Sequence, residues 1–206
     1  MISATQRWIG RLWANAAWGR GVRARQGVSH GFWVMCDQGV VSLASFVSAV
    51  IVGRICGQYE LGIYSLAVTM FWLAAGIPNA LVWTPYTSHV ARLTSGRRTV
   101  YAGSVTLHAV LIAVAIAALA LLVGISPLPA LRRVEWLAPM CLALVPFTIL
   151  MIVREHVRRL HLADLRTREL VAIDVPIAVA QVAVLMALAY VGRLSATTAL
   201  LAVAAT

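Results

Sequence analysis

Long apolar stretches alternate with short polar ones along almost the whole chain, and the apolar stretches are too long for strands or core helices. Five of them, residues 30–53, 61–84, 100–124, 136–153 and 171–192, run for about the 20 residues that a helix needs to cross a hydrocarbon core of about 30 Å. Each reads as a transmembrane helix. A sixth apolar stretch, residues 197–205, is too short to span, and it reads as the start of a sixth helix in a chain that forms part of a larger protein. Ahead of the first span, residues 5–25 set Trp8, Leu12, Trp13, Ala16 and Ala17 near one side of a helix and Arg7 and Arg11 on another. Tryptophan favours the headgroup level and arginine favours anionic lipid, so this stretch reads as an interfacial helix rather than a cleaved signal peptide. The expected fold class is therefore all-α: a basic amphipathic segment at 1–28, then a polytopic helical lobe at 29–206 that lacks a second lobe.

Composition supports the same class. Hydrophobic residues make up 61% of the chain and charged residues 12%, with a mean hydropathy of +0.86, whereas soluble domains are about a quarter charged. The basic residues, all 17 of them arginine, add orientation. Thirteen fall in three dense clusters, at positions 7–25, 92–98 and 154–168; the other four, Arg54, Arg132, Arg133 and Arg193, fall in the alternate connections. Short cationic loops resist translocation, so the dense clusters belong inside, together with the N-terminus. A pI near 11.0 would suggest nucleic acid in a soluble chain, but charge segmented between apolar spans points to topology and to anionic membrane lipids as partners. Cys36, Cys56 and Cys141 are odd in number and form no CxxC pair, which predicts neither a disulfide framework nor a zinc site.

Polar residues within the spans are the functional candidates, because a carboxylate at the bilayer centre costs about 2.5–3.5 kcal/mol on insertion scales. Asp37 and Asp174 are such acids. In the first span helical periodicity puts Gln38, Ser42 and Ser45 on one stripe with Asp37 and Ser48 at its border, facing protein or water. The second span carries Ser65, Thr69, Trp72, Gly76, Asn79 and Trp83 along one face, and Pro78 frees a carbonyl beside Asn79, as in a kinked helix lining a cavity. His108 in the third span is a candidate proton relay or a packing residue. Asp174 shares a face with Ala178 and Gln181, and it is close enough to the inner boundary to pair with Arg168 or another arginine of the preceding loop. Gly53, Gly57 and Gly62 read as turn material at a helix end. The run from Arg154 to His161 reads as a loop; its acid and two histidines lack the HExxH spacing of a metal site. A chain without lysine has no phosphate-binding GxxxxGK[ST] loop, and no GxSxG elbow occurs, so neither ATP hydrolysis of that kind nor esterase chemistry is expected, and no cofactor or enzymatic activity is.

Three stretches carry a resemblance. Asp37-Gln38-Gly39 through Gly53-Arg54, followed by Tyr59-Glu60-Leu61-Gly62-Ile63-Tyr64-Ser65-Leu66-Ala67, resembles the first hairpin of polysaccharide transporters in the multidrug/oligosaccharidyl-lipid/polysaccharide exporter superfamily. Thr84-Pro85-Tyr86-Thr87 with Arg92-Leu93, Gly96 and Tyr101-Ala102-Gly103-Ser104 is similar to the loop after the second helix in lipopolysaccharide-biosynthesis membrane proteins of bacteria. Arg154-Glu155 with Arg158-Arg159, Asp164-Leu165-Arg166 and Asp174 resembles their loop between the fourth and fifth helices. The resemblance implies a lobe of a two-lobed flippase in the bacterial inner membrane. Its substrate would be an undecaprenyl-pyrophosphate-linked oligosaccharide, and glycan polymerases or glycosyltransferases would be its partners. It also implies a hydrated, partly cationic cavity with buried acids as coupling sites. The polar residues of the spans fill that outline: Asp37, Gln38 and Asn79 as cavity residues, Arg92, Arg154 and Arg158 at the inner mouth to receive the anionic carrier, and Asp37, Asp174 and His108 as coupling candidates. A drug or cation antiporter of the same superfamily and a noncatalytic membrane scaffold are the competing readings.

Overall fold

A computed structural model describes the backbone of residues 4–90, 93–164 and 167–206, and the side chains from residue 30 onward apart from those at 91, 92, 95, 130, 132, 165 and 166. Eight α-helices follow in order: α1 (Ala4–Ile55), α2 (Gly57–Pro78), a π-helical segment (Asn79–Trp83), α3 (Thr84–Val90), α4 (Ser95–Ile125), α5 (Pro129–Arg132), α6 (Leu137–Ala163), α7 (Thr167–Tyr190) and α8 (Ala196–Ala205). Among the described residues there is no strand. Five helical stretches are long and apolar enough to cross a membrane: His30–Ile55, Gly57–Val90, Gly96–Ile125, Leu137–Ala163 and Thr167–Tyr190. The chain therefore has the architecture of a multi-pass helical membrane protein. Its outer faces remain apolar, as lipid requires and water would not favour, with Leu73 81% and Phe46 67% exposed. The backbone at 5–25 is helical and continuous with the first span; the interfacial reading of that stretch turns on side chains outside the described residues.

Two spans run further than the sequence suggested. The second continues through the π segment into α3, and α6 continues to Ala163, so the stretch expected to be a loop from Arg154 to His161 is helix. A run of charges is not a helix stop. Glu155 and Arg159 form an (i, i+4) ion pair at 2.9 Å that favours the helix through the charged turn, and the Asp164 amide closes it onto the Leu160 carbonyl. The π segment lies between Pro78 and Pro85, and Pro85 has no amide for the turn that precedes it. The extra residue absorbed in the wider turn sets Trp83, Tyr86 and Val90 back onto the buried face begun by Phe71 and Ala75.

Two packed seams organise the bundle. In the first, α4 lies on α6 along a stripe of small residues, Ala109, Ala113 and Ala117, all nearly fully buried, which lets the two backbones approach closely. Gly124 continues that approach: a Cβ there would lie 3.2 Å from the Cys141 Cβ. In the second, α1 lies on α7 through Ala44, Ser48, Asp174 and Gln181. The half-length α8 enters between them against α6, burying Ala196, Ala199 and Leu200. Its N-terminus is held by a capping box between Ser195 and Thr198 and by Glu60 of α2, whose Oε2 accepts the Ala196 amide at 2.6 Å. Gly57, at φ 87°, makes the sharp turn from α1 to α2 as expected, but Gly53 is a packing position, where a Cβ would meet the Leu61 Cδ2 at 2.9 Å.

Candidate functional site

Where α6 passes α1 and α7, one guanidinium gathers three carboxylates. Arg158, nearly fully buried, is ion-paired with Asp37 of α1, lies 2.9 Å through Nε from Asp174 Oδ2 of α7, and donates from Nη1 to Glu155 Oε2 at 2.9 Å. The approach to Asp174 is electrostatic contact without hydrogen-bond alignment. Arg154, one turn earlier, reaches Asp174 Oδ1 at 3.5 Å, and Arg159 Nε donates to Glu155 Oε1 at 2.9 Å. Three arginines thus balance three acids. Both aspartates are 1% exposed, a burial that lipid or protein tolerates only when the charges are matched.

Placement follows from helix geometry. Residues 137 to 158 of α6 extend about 32 Å at 1.5 Å per residue, so Arg158 sits near the far boundary of a core about 30 Å thick. Asp37 lies two turns into the first span and Asp174 two turns into the fifth, at the matching depth. One layer further in, Gln181 Nε2 donates to Ser48 Oγ at 2.8 Å, and the Ser48 hydroxyl donates to the Ala44 carbonyl at 2.7 Å, so the α1–α7 seam is polar at two levels and apolar between them.

Beside this cluster lies a cavity of about 280 Å³, bounded by α1, α2, α6 and α7 and by Val203 of α8. Arg154, Glu155, Arg158 and Gln181 supply its charged and amide groups, Ser45, Ser65 and Thr69 its hydroxyls, and Trp72 and Tyr64 its aromatic surface. On the far side of the α1–α7 seam is an apolar groove of about 520 Å³.

Of the residues singled out in the sequence, Asp37, Arg154, Arg158 and Asp174 come together here. Asp174, Ala178 and Gln181 share the inward face, as their spacing implied, and Asp174 meets arginines of the preceding stretch, Arg154 and Arg158, rather than Arg168, which lies over the Trp33 ring at 5.6 Å. The first-span stripe is rotated from expectation. Asp37, Ala44 and Ser48 face inward, at spacings of seven and four, while Gln38 and Ser42 are exposed and Ser45 reaches only the cavity edge. The pairing of Asp37 with Arg158 fixes that rotation. Asn79 is exposed outside the cluster, contributing its carbonyl to Thr84 Oγ1 at 2.8 Å, and the second-span stripe is split because Trp83 is buried. His108 is exposed and bonded to the Ser104 carbonyl of its own helix, at 2.7 Å, away from the acids. Arg92 lies outside the described residues.

A second polar chain escaped the sequence reading. Trp83 Nε1 donates to His156 Nδ1 at 3.2 Å, and His156 Nε2 meets Thr106 Oγ1 at 2.9 Å. Indole can only donate, so Nδ1 must accept and Nε2 must carry the proton: His156 is neutral, in one tautomer. The Thr106 hydroxyl donates in turn to the Ala102 carbonyl, tying α2, α6 and α4 together, and Arg159 stacks over Trp83 at 5.5 Å to join this chain to the ion cluster. Glu155, Arg159 and the Arg154–Arg158 pair were readable as (i, i+4) faces had the helix been continued past 153; the Trp83–His156 contact, 73 residues apart, left no local signal. No family model, curated protein or solved structure matches the chain.

Proposed function

We propose that the chain is a lobe of a transporter that moves an anionic, lipid-linked oligosaccharide across the bacterial inner membrane, with its arginine-rich end inside and with no covalent step of its own. The observation that carries this reading is the polar cavity within a bundle of apolar helices, bounded by Arg154, Glu155, Arg158 and Gln181 and joined to two buried aspartates. A bundle that needed only to fold in lipid has little use for Asp37, Asp174 and Arg158 buried between its helices, because an apolar replacement is often as stable or more so. The resemblance of the first hairpin and of the 154–174 stretch to polysaccharide exporters supplies the substrate class.

A cation antiporter of the same superfamily is the second reading, favoured by one feature. The arginines and acids balance, so binding at the cluster would exchange one partner for another rather than fill a surplus of positive charge. Vesicles containing the protein and a fluorescent undecaprenyl-pyrophosphate-linked oligosaccharide test both. Flux above that of protein-free vesicles, reduced severalfold by Asp37→Asn and by Arg154→Ala, is the expected result. Flux no greater than that of protein-free vesicles sinks the transport reading, flux indifferent to both substitutions removes the cavity from it, and ion-driven efflux without glycan movement, lost in Asp37→Asn, selects the antiporter.

A further inference from the structure

The cavity and the apolar groove are two sides of one thin wall. Ala44 of α1 and Ala178 of α7 line both, so at that level only methyl groups separate a space furnished with guanidinium, carboxamide and hydroxyl groups from one walled by Leu43, Val47, Val175 and Val179. Above and below it the seam is fastened by polar contacts: Ser48 with Gln181 at one level, and Asp37 and Asp174 through Arg158 at the other. The wall is therefore the weakest stretch of the α1–α7 contact, where parting the helices breaks no hydrogen bond or ion pair. Leu43 and Val179 are 62% and 65% exposed on the outer side, so the groove opens where lipid chains are.

We propose that this pair of spaces seats one single-chain amphiphile, its hydrocarbon chain in the α1–α7 groove and its phosphate-bearing head reaching the cavity across the Ala44–Ala178 wall. The match is one of polarity on each side: a dry, aliphatic trough for the chain and hydrogen-bond donors for the head. Arg154 is the group that receives the phosphate. Its contact with Asp174, at 3.5 Å, is the longest ion pair of the cluster, and Asp174 keeps Arg158 at 2.9 Å when Arg154 turns away. Arg158, held by three carboxylates, stays in place. A cavity of about 280 Å³ lies just below the usual range of ligand pockets, about 300–1,000 Å³, so it takes the phosphate and the first group attached to it while a longer glycan extends past Ser65, Thr69 and Trp72 of α2. The ligand class rests on the transport reading above; the seat between α1 and α7 is new.

The test is photolabelling of the full chain in lipid nanodiscs with a polyprenyl phosphate carrying a diazirine on its chain, against the polyprenyl alcohol with the same chain and diazirine. Labelled residues are mapped by mass spectrometry. The phosphate probe is expected to label Leu43, Val47, Val179 and Val182 severalfold above the lipid-facing controls Leu73 and Leu122, and the alcohol is not. Arg154→Gln should bring groove labelling by the phosphate down to the level of the alcohol. Val179→Trp, at an exposed position that leaves the core intact, should reduce groove labelling and leave the controls unchanged. Labelling spread evenly over all lipid-facing positions overturns the seat, as does groove labelling equal for both probes or untouched by Arg154→Gln, and so does a groove that takes no label because another protein segment fills it. Labelling needs no transport. A seat that labels as expected in a protein that moves no glycan keeps this inference and removes the transport reading, whereas transport that persists in Val179→Trp with no groove labelling does the reverse.

Discussion

Arg158 holds its neighbourhood by charge rather than by volume, and that makes its removal unusually costly. Taking away the guanidinium leaves Asp37, Glu155 and Asp174 close together with only Arg154 and Arg159 nearby, and breaking a buried pair from one side typically costs about 3–5 kcal/mol. Arg158→Leu should lower stability by that order in chemical or thermal unfolding of the reconstituted protein. Adding Asp37→Asn and Asp174→Asn should recover most of the loss, since the acids no longer demand a counter-charge; failure to recover would mean that Arg158 acts through packing. The Trp83–His156 bond gives a smaller and sharper expectation. Trp83→Phe keeps the ring and removes the donor, leaving Nδ1 unmatched at a cost of about 1–3 kcal/mol, and nitrogen NMR of the parent protein should find His156 as the neutral tautomer with its proton on Nε2. Asp37 and Asp174 were legible because an acid in an apolar span is rare and expensive. An arginine for Asp174 was legible too, from the basic stretch before it; that Arg158 also serves Asp37 was not, because nothing in the order of residues says which of five helices lie side by side.

Each helix is set by its spacing of small and large residues more than by its mean hydropathy. All five spans were visible as apolar stretches of sufficient length, and their order and approximate limits follow from that alone. What apolar length cannot reveal is the face that each helix turns inward, since lipid accepts the same side chains as the core. The first span shows this: its polar residues suggested Gln38, Ser42 and Ser45 as the inner stripe, and the inward face is Asp37, Ala44 and Ser48 instead. The α4–α6 seam shows the alternative signal, an alanine repeat at every fourth residue that permits close approach. Ala113→Leu, which inserts three carbons at a position 1% exposed, should destabilise the protein by about 1–3 kcal/mol through overpacking, while Val110→Leu on the lipid-facing side of the same helix should change unfolding very little. Equal effects at the two positions would mean that α4 does not meet α6 through this stripe. The π segment belongs to this scale too. Pro78 signalled an irregularity, but a kink and an absorbed extra residue share that signal, and only the second buries Trp83 against His156.

The whole molecule separates its arginines as its helices alternate. Arg54, Arg133 and Arg193 lie at one end of the bundle, at the ends of α1 and α7 and between α4 and α6, while Arg97, Arg98, Arg159 and Arg168 lie toward the other, where Arg98 is ion-paired with Asp164 across the α3–α4 and α6–α7 turns. The ion cluster and the cavity sit nearer that second end, so the direction in which the bundle is inserted decides which compartment faces Arg154. Short basic loops stay on the cytoplasmic side because moving them across is opposed both by the membrane potential and by anionic inner-leaflet lipid. The expected orientation can be read directly by replacing Cys36, Cys56 and Cys141 and introducing single cysteines at exposed positions of the two ends. Glu135→Cys and Arg193→Cys should react with a membrane-impermeant maleimide in intact cells, whereas Gly96→Cys should react only after the membrane is permeabilised. The reverse pattern would turn the cavity outward: an anionic lipid head would then meet Arg154 from the external leaflet, and export from the inner leaflet would give way to uptake. Labelling of both ends in intact cells would mean a mixed orientation, which an excess of arginines as uneven as thirteen to four is expected to prevent.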